Sequence, residues 1–208
     1  IRRLGLQDAG IKWPNDILYH GKKLVGILTE MSASMEKIDY IIIGAGINTG
    51  MKKSEFPELF RESATSFLAE GFRKDLLAAI LAELEKEYEI AQTQGFDKVL
   101  EDWKALSVTL GQDVRVIMGE ENYTGKAVDI DKDGCLLVDT GEKVERVIAG
   151  DVSIRPIDAP LPNDKSGWQV SGEKQTGSEG SMGSTRGGAK SYGSAASSEI
   201  VAFSYRSS

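Results

Sequence analysis

The spacing of apolar positions changes character twice along the chain, and each change predicts a different kind of element. Over residues 1–54 the apolar residues come in short β-like runs. Ile11-Lys12-Trp13 precedes Pro14, which biases Trp13 toward extended geometry. Ile17-Leu18-Tyr19 and Leu24-Val25-Gly26-Ile27-Leu28 flank His20-Gly21-Lys22-Lys23, a polar turn suited to a hairpin. Asp39-Tyr40-Ile41-Ile42-Ile43 is almost continuously apolar, as a strand buried on both faces would be, and it stops at Gly44-Ala45-Gly46-Ile47-Asn48-Thr49-Gly50.

From residue 58 to about residue 106 the period turns helical. Leu76, Leu77, Ile80, Leu81, Leu84 and Tyr88 form one stripe of a helix of about twenty residues, with Gly95 as its C-terminal cap. A second helix near 96–105 turns Val99, Leu100 and Trp103 inward, and the pair is expected to cover one face of the strands. Strand signals return at 114–118, 124–130, 135–139, 143–148 and 152–155, divided by Gly, Asp and Asn turns at the short spacing of a small antiparallel barrel. Beyond Pro156 the chain is mostly Gly, Ser, Ala, Lys and Thr without periodicity. It is expected to be disordered, either as a natural tail or as the product of a reading-frame error. The expected fold is therefore α+β: a partial mixed β-sheet with helices on one face over residues 1–106, a small barrel over 107–156, and a disordered tail over 157–208.

Composition narrows the function. Lys and Arg number 25 against 32 Asp and Glu, a formal charge of −7, which argues against a chain built mainly to bind nucleic acid or an anionic membrane. No apolar run approaches the ~20 residues of a membrane span. One cysteine, Cys135, excludes an internal disulfide framework and a CxxC zinc site, and it reads as a small buried hydrophobe. A reducing cytoplasm is the expected compartment. The chain starts at Ile1 with no signal-peptide pattern, and it is expected to be a fragment whose upstream part is missing.

Three features in the first fifty residues could carry chemistry. In Lys12-Trp13-Pro14-Asn15-Asp16, Pro14 forces a bend that presents Asn15 and Asp16 to a ligand or to the backbone of an Asx-type turn. Lys22 and Lys23 begin a strand and should point to opposite faces, so that one can reach a cleft while the other meets water. Residues 1–25 are locally basic, which suits a phosphate or carboxylate. Gly44 and Gly46, directly after an apolar strand, let backbone approach a ligand.

Several other signatures fail. A dinucleotide loop would need a third glycine one place before Gly50 and an immediate helix, which Pro57 interrupts. The run from Asp129 to Gly134 matches the start of a calcium loop, but position twelve is Thr140, so a hairpin turn is expected. His20, the one histidine, lies in a turn, which leaves nucleophilic hydrolase chemistry without a triad.

Taken in order, Lys12-Trp13-Pro14-Asn15-Asp16, Lys23-Leu24-Val25-Gly26-Ile27-Leu28-Thr29-Glu30 and Gly44-Ala45-Gly46-Ile47-Asn48 resemble the biotin protein ligase family in wording and spacing. Thr65-Ser66-Phe67, the acidic helix, and Trp103 followed by the small barrel continue the resemblance over roughly residues 1–156. It implies activation of biotin by ATP, with Mg²⁺ assisting, to biotinyl-5′-AMP, and transfer to a lysine of a biotin carboxyl carrier domain such as that of acetyl-CoA carboxylase. Lys23 matches the family's biotin-contacting lysine and would be catalytic, with Lys12 adding positive potential. Asn15, Asp16, Gly44, Gly46 and Asn48 would hold the adenylate or ATP, and no residue is expected to ligate a metal.

The barrel resembles the family's C-terminal SH3-like domain. The family's Gly/Arg-rich loop and the small polar biotin contacts would lie upstream of Ile1, so this chain alone is expected to be inactive. The resemblance allows a homodimer, and DNA as a partner only with an upstream helix-turn-helix. The alternatives are a biotin-sensing regulatory module and a related lipoate-type acyl ligase.

Overall fold

The computed structural model describes residues 1–33, 38–67, 73–149, 152–157 and 198–206. A first sheet contains β1 (Gly10–Lys12), β2 (Asp16–Tyr19), β3 (Lys22–Ala33) and β4 (Ile38–Asn48). Two helices follow, α1 (Arg73–Gln94) and α2 (Phe96–Leu106). A second sheet contains β5 (Asp113–Met118), β6 (Glu121–Ile130), β7 (Leu136–Asp139), β8 (Val144–Val147) and β9 (Val152–Pro156). Finally β10 (Ser198–Arg206) returns to the first sheet. The strand orders are β1-β2-β3-β4-β10 and β8-β7-β6-β5-β9.

The pairing of these strands corrects one expectation. The first sheet is not mixed: all its strand pairings are antiparallel, and among the described residues parallel contact is confined to isolated bridges such as Lys23 with Ala64. Short connections account for this from β1 to β4, because a tight turn can join only antiparallel neighbours; β10 pairs antiparallel with β4 without one. His20 and Gly21, with φ of 48° and 74°, form such a turn between β2 and β3, tighter than the four-residue turn expected.

The tail expectation also needs correction. Residues 198–206 form β10, paired with β4 from Ser198 opposite Asn48 to Arg206 opposite Tyr40. A composition averaged over the whole tail hides the β-favouring run Ile200-Val201-Ala202-Phe203, and the β4 edge offers that run unpaired N–H and C=O groups. The rest of the expected tail beyond residue 157 lies outside the described residues.

The helices do not jointly cover the strands of the first sheet. Leu76 is buried with Leu24, Val25 and Ile47, and Ile80 packs beside them, but Leu77, Leu81, Leu84 and Tyr88 are exposed. A stripe with a helical period is buried only as far as a facing apolar surface extends, and here that surface ends after one turn. Leu100 and Trp103 on α2 pack instead against the core of the second sheet. Gly95, at φ 87°, separates the two helices.

The second sheet follows its pattern closely. Val114, Val116, Ala127, Leu136, Val138, Val147 and Ile154 form a single cluster, which Trp13 of the first region joins. Cys135 is buried, as expected of a small hydrophobe. The acidic run is a hairpin turn: Asp131 Oδ1 accepts the N–H groups of Asp133 and Cys135 at 2.9 Å each, and Gly134 has φ 80°. Among the described residues no helix is long and apolar enough to cross a membrane.

Candidate functional site

Register places the chemistry on one face of the first sheet. Lys12 lies opposite Asp16, Asp16 opposite Gly26, and Gly26 opposite Gly46. Residues directly opposite one another in antiparallel strands share a face, so these four make a row across β1 to β4. The alternating residues Ile17, Val25 and Ile47 point the other way, into the core. A Cβ at Gly44 or Gly46 would meet only a carbonyl oxygen at 3.8 Å, so the sheet surface there is bare backbone open to a ligand.

A bulge completes the row. Ile17 pairs with Val25 but Leu18 pairs with Lys23, which leaves Leu24 as an extra residue in β3. The extra residue turns Lys23 onto the face of Asp16 and Gly26, an effect bulges commonly have near binding sites. Lys23 Nζ then stands 2.6 Å from Asp16 Oδ1. A Cβ at Gly26 would come within 3.1 Å of Lys23 Cε and 3.2 Å of its Nζ, so glycine there leaves space for this pair. Lys22 goes elsewhere, with its Nζ 3.9 Å from Glu62 Oε2. The two lysines therefore part as alternation expects, and Lys23 is the one on the row.

The neighbouring charges are arranged around a single carboxylate. Burial holds the Lys12 ammonium below the ordinary lysine range; Asp16 pulls it back up, while Arg155 and Lys23 push it further down. Lys23 pairs with Asp16, and Lys12 feels Asp16 together with the charges of Lys23 and Arg155, which leaves the face net positive. Such a cluster favours an anionic ligand that can neutralise it.

Asn15 and Asn48 support the row from its margins. Asn15 Nδ2 donates to the Ile27 carbonyl at 2.6 Å, and Ile27 N–H donates to the Asn15 carbonyl at 2.9 Å, which locks the bend after Pro14 against β3. The Trp13–Pro14 peptide is cis. Asn48 Nδ2 donates to the Thr65 carbonyl at 3.1 Å and reaches the Lys23 carbonyl at 3.5 Å. Lys23 N–H donates to Ser63 O at 2.8 Å and Thr65 N–H donates to Lys23 O at 2.9 Å, so the 63–65 segment fixes the start of β3.

The structure therefore brings Lys12, Asp16, Lys23 and Gly46 together and keeps Gly44 on the same face two residues along. Asn15 and Asn48 brace the strands through backbone carbonyls. Sequence reasoning missed Gly26 and Arg155. A glycine inside an apolar strand was the available signal for Gly26. Nothing local points to Arg155, whose charge reaches Lys12 only through the docking of β9.

Comparison with known proteins gives the family of the chain. The family model described as "Biotin/lipoate A/B protein ligase family" matches residues 3–48, and "Biotin protein ligase C terminal domain" matches residues 109–155. The chain is 37 % identical over 159 residues to the bifunctional ligase/repressor BirA of Bacillus subtilis, covering 72 % of this chain and 49 % of that protein. It is 35 % identical over 150 residues to the biotin--[acetyl-CoA-carboxylase] ligase of Mycobacterium tuberculosis, covering 70 % of this chain and 53 % of that one. Biotin protein ligase from Aquifex aeolicus in complex with biotin and ATP superposes with a TM-score of 0.59 at 28 % identity, covering 71 % of this chain and 62 % of that one. The chain thus spans about half the length of the curated relatives it matches. With one family model matched on each side of the helices and curated ligases 37 % and 35 % identical along 72 % and 70 % of it, the chain belongs to the biotin protein ligase family.

Proposed function

We propose that this chain carries the biotin- and adenylate-facing part of a biotin–protein ligase. The reaction has two displacements. Biotin's carboxylate oxygen attacks the α-phosphorus of ATP, forming the mixed anhydride biotinyl-5′-AMP as pyrophosphate leaves. A lysine amine of a biotin carboxyl carrier domain, as in acetyl-CoA carboxylase, then attacks the anhydride carbonyl, forming the amide as AMP leaves. Both substrates of the first step are anions that repel each other, so a fixed cation between them lowers the barrier.

Lys23 suits that task. Asp16 Oδ1 lies 2.6 Å from its Nζ and holds the ammonium on the glycine face. Lys12 and Arg155 add positive potential, and the bare backbone at Gly26, Gly44 and Gly46 admits a flat ligand close to the sheet. Asn15, Asp16 and Asn48 shape the adenylate end. The Lys23–Asp16 pair on this face is the observation that carries the proposal.

Mg²⁺ would enter with ATP, as part of the substrate. Residues 1–106 are read as the catalytic region and 107–156 as an SH3-like barrel that helps hold ATP and the carrier. The proposed setting is the cytoplasm, where carrier domains are made.

The test is ATP- and biotin-dependent labelling of a purified carrier domain by the longest open reading frame containing this chain, with Lys23→Ala alongside. Labelling that falls about a hundredfold or more in a folded Lys23→Ala protein supports the assignment. Labelling that survives the substitution returns Lys23 to a surface charge. A folded protein that labels nothing sinks the ligase reading.

A further inference from the structure

The Lys12–Asp16 face is tied to the second sheet by one side chain that takes no part in the proposed chemistry. Trp13 follows Lys12 directly, yet it is only 3 % exposed and belongs to the core cluster of the second sheet, among Val114, Val116, Leu136 and Val138. Two hydrogen bonds set its orientation. Its backbone N–H donates to Thr109 Oγ1 at 2.9 Å, and its indole N–H donates to the Gly134 carbonyl at 3.0 Å, at the β6–β7 hairpin. Thr109 is itself 4 % exposed, so the first bond is buried and would leave an orphaned donor if lost.

The strand before Trp13 is clamped by the same junction. Val108 N–H donates to the Ile11 carbonyl at 2.8 Å, and Ile11 forms a bridge with Ser107. Gly10 permits this approach, since a Cβ there would lie 2.2 Å from Val108 Cγ1 and 3.2 Å from the Leu106 carbonyl. Residues 10 to 13 are therefore held on one side by β2 and on the other by residues 107–109 and the second sheet.

We propose that Trp13 is a positioning residue through which the second sheet sets the geometry of the Lys12–Asp16–Lys23 face. Lys12 and Asp16 stand one and three residues from a ring seated in another sheet's core, so a shift of that ring moves both strands that carry them. The second sheet then contributes to the site even where it does not touch the ligand. This deepens the ligase reading and rests on it only in taking Lys12, Asp16 and Lys23 as the site.

The test reads the face itself, without ligand. The Lys12 ammonium is followed by ¹⁵N NMR titration, since its midpoint responds to burial and to the groups that face it: Asp16 on β2, Lys23 on β3 and Arg155 on β9. Thr109→Val keeps the shape but removes the acceptor for Trp13 N–H; Thr109→Ser keeps the acceptor and loses only a methyl. Trp13→Phe keeps a ring in the core and removes the indole donor.

The expected result is a Lys12 midpoint that rises toward the ordinary lysine value in Thr109→Val and Trp13→Phe and stays at the wild-type value in Thr109→Ser. Affinity for biotinyl-5′-AMP falls roughly tenfold in the first two and is kept in the third. If either folded variant, Thr109→Val or Trp13→Phe, leaves midpoint and affinity unchanged, Trp13 is only a core residue. If Thr109→Ser, which keeps the bond to Trp13, shifts both as far as Thr109→Val, the effect arises at Thr109 itself and not through Trp13, and the proposal is overturned. A wild-type chain that binds no biotinyl-5′-AMP counts against the ligase reading alone, because the Lys12 midpoint still decides the coupling.

Discussion

The two sheets each contain five antiparallel strands, but they spend their residues differently. In the second sheet Val116, Ala127, Leu136 and Val138 are fully buried, with Val147 at 1 % exposure. Among the described side chains of the first sheet the buried apolar ones on strands are Leu24, Val25 and Ile47, while Leu28 and Met31 are 63 % and 61 % exposed. One sheet is filled by its own side chains and holds its shape. The other keeps a face of glycine, lysine and aspartate uncovered, which weakens it as a core and suits it as a site. Trp13 joins the two, since it is buried in the core of the second sheet.

Core substitutions should separate the sheets most strongly. Leu136→Ala removes a fully buried side chain and should cost about 2–5 kcal/mol in denaturant unfolding. Leu28→Ala, on the open face, should stay within about 0.5 kcal/mol. Equal losses at the two positions would erase the distinction between a filled and an open sheet.

Two glycines sharpen the same contrast. At Gly125 in β6 a Cβ would sit 2.5 Å from the Asp139 carbonyl oxygen and 2.7 Å from Val138 Cγ1, so Gly125→Ala should cost about 1–3 kcal/mol of stability. At Gly46 a Cβ would meet nothing closer than the Gly26 carbonyl at 3.8 Å. Gly46→Ala should therefore unfold like the wild type while its affinity for biotinyl-5′-AMP drops. A Gly46→Ala protein that binds normally would show that the bare backbone is not part of the ligand surface.

Much of this architecture is legible in the sequence. The strands of the second sheet are marked within a few residues because each turn carries a glycine or an acidic residue and strands such as β5 and β7 alternate cleanly. The motif residues are legible too, since their identities and spacing are local. What the sequence hides is set at long range. The bulge at Leu24, which turns Lys23 toward Asp16, exists only through pairing with β2. The approach of Arg155 to Lys12 needs β9 docked, and the exposure of Leu77, Leu81, Leu84 and Tyr88 depends on how far the facing apolar patch reaches. β10 is hidden inside a tail whose average composition resembles no element.

A smaller effect concerns acid. Asp129 on β6 accepts a hydrogen bond from Lys104 on α2 at 2.7 Å, and this bond, ahead of the other influences, holds its carboxyl below the usual aspartate range. A depressed aspartate contributes stability above its unfolded-state pKa and loses it as pH falls through the lower folded one. Acid titration of the second region, followed by Trp103 fluorescence, should show that loss, about 1 kcal/mol or less for so exposed a pair. Asp129→Asn should flatten the slope in that window, and an unchanged slope would place the acid sensitivity elsewhere.

The most direct test of the ligand face compares adjacent lysines. Lys23 pairs with Asp16 over the glycine face, whereas Lys22 lies near Glu62 away from it. Calorimetric titration of biotinyl-5′-AMP into the wild type, Lys23→Ala and Lys22→Ala measures each lysine's share of binding. Lys23→Ala is predicted to lose about a hundredfold in affinity, and Lys22→Ala to bind nearly as the wild type does. Equal affinities for the two variants would contradict the central claim that the bulged strand aims Lys23 at the ligand.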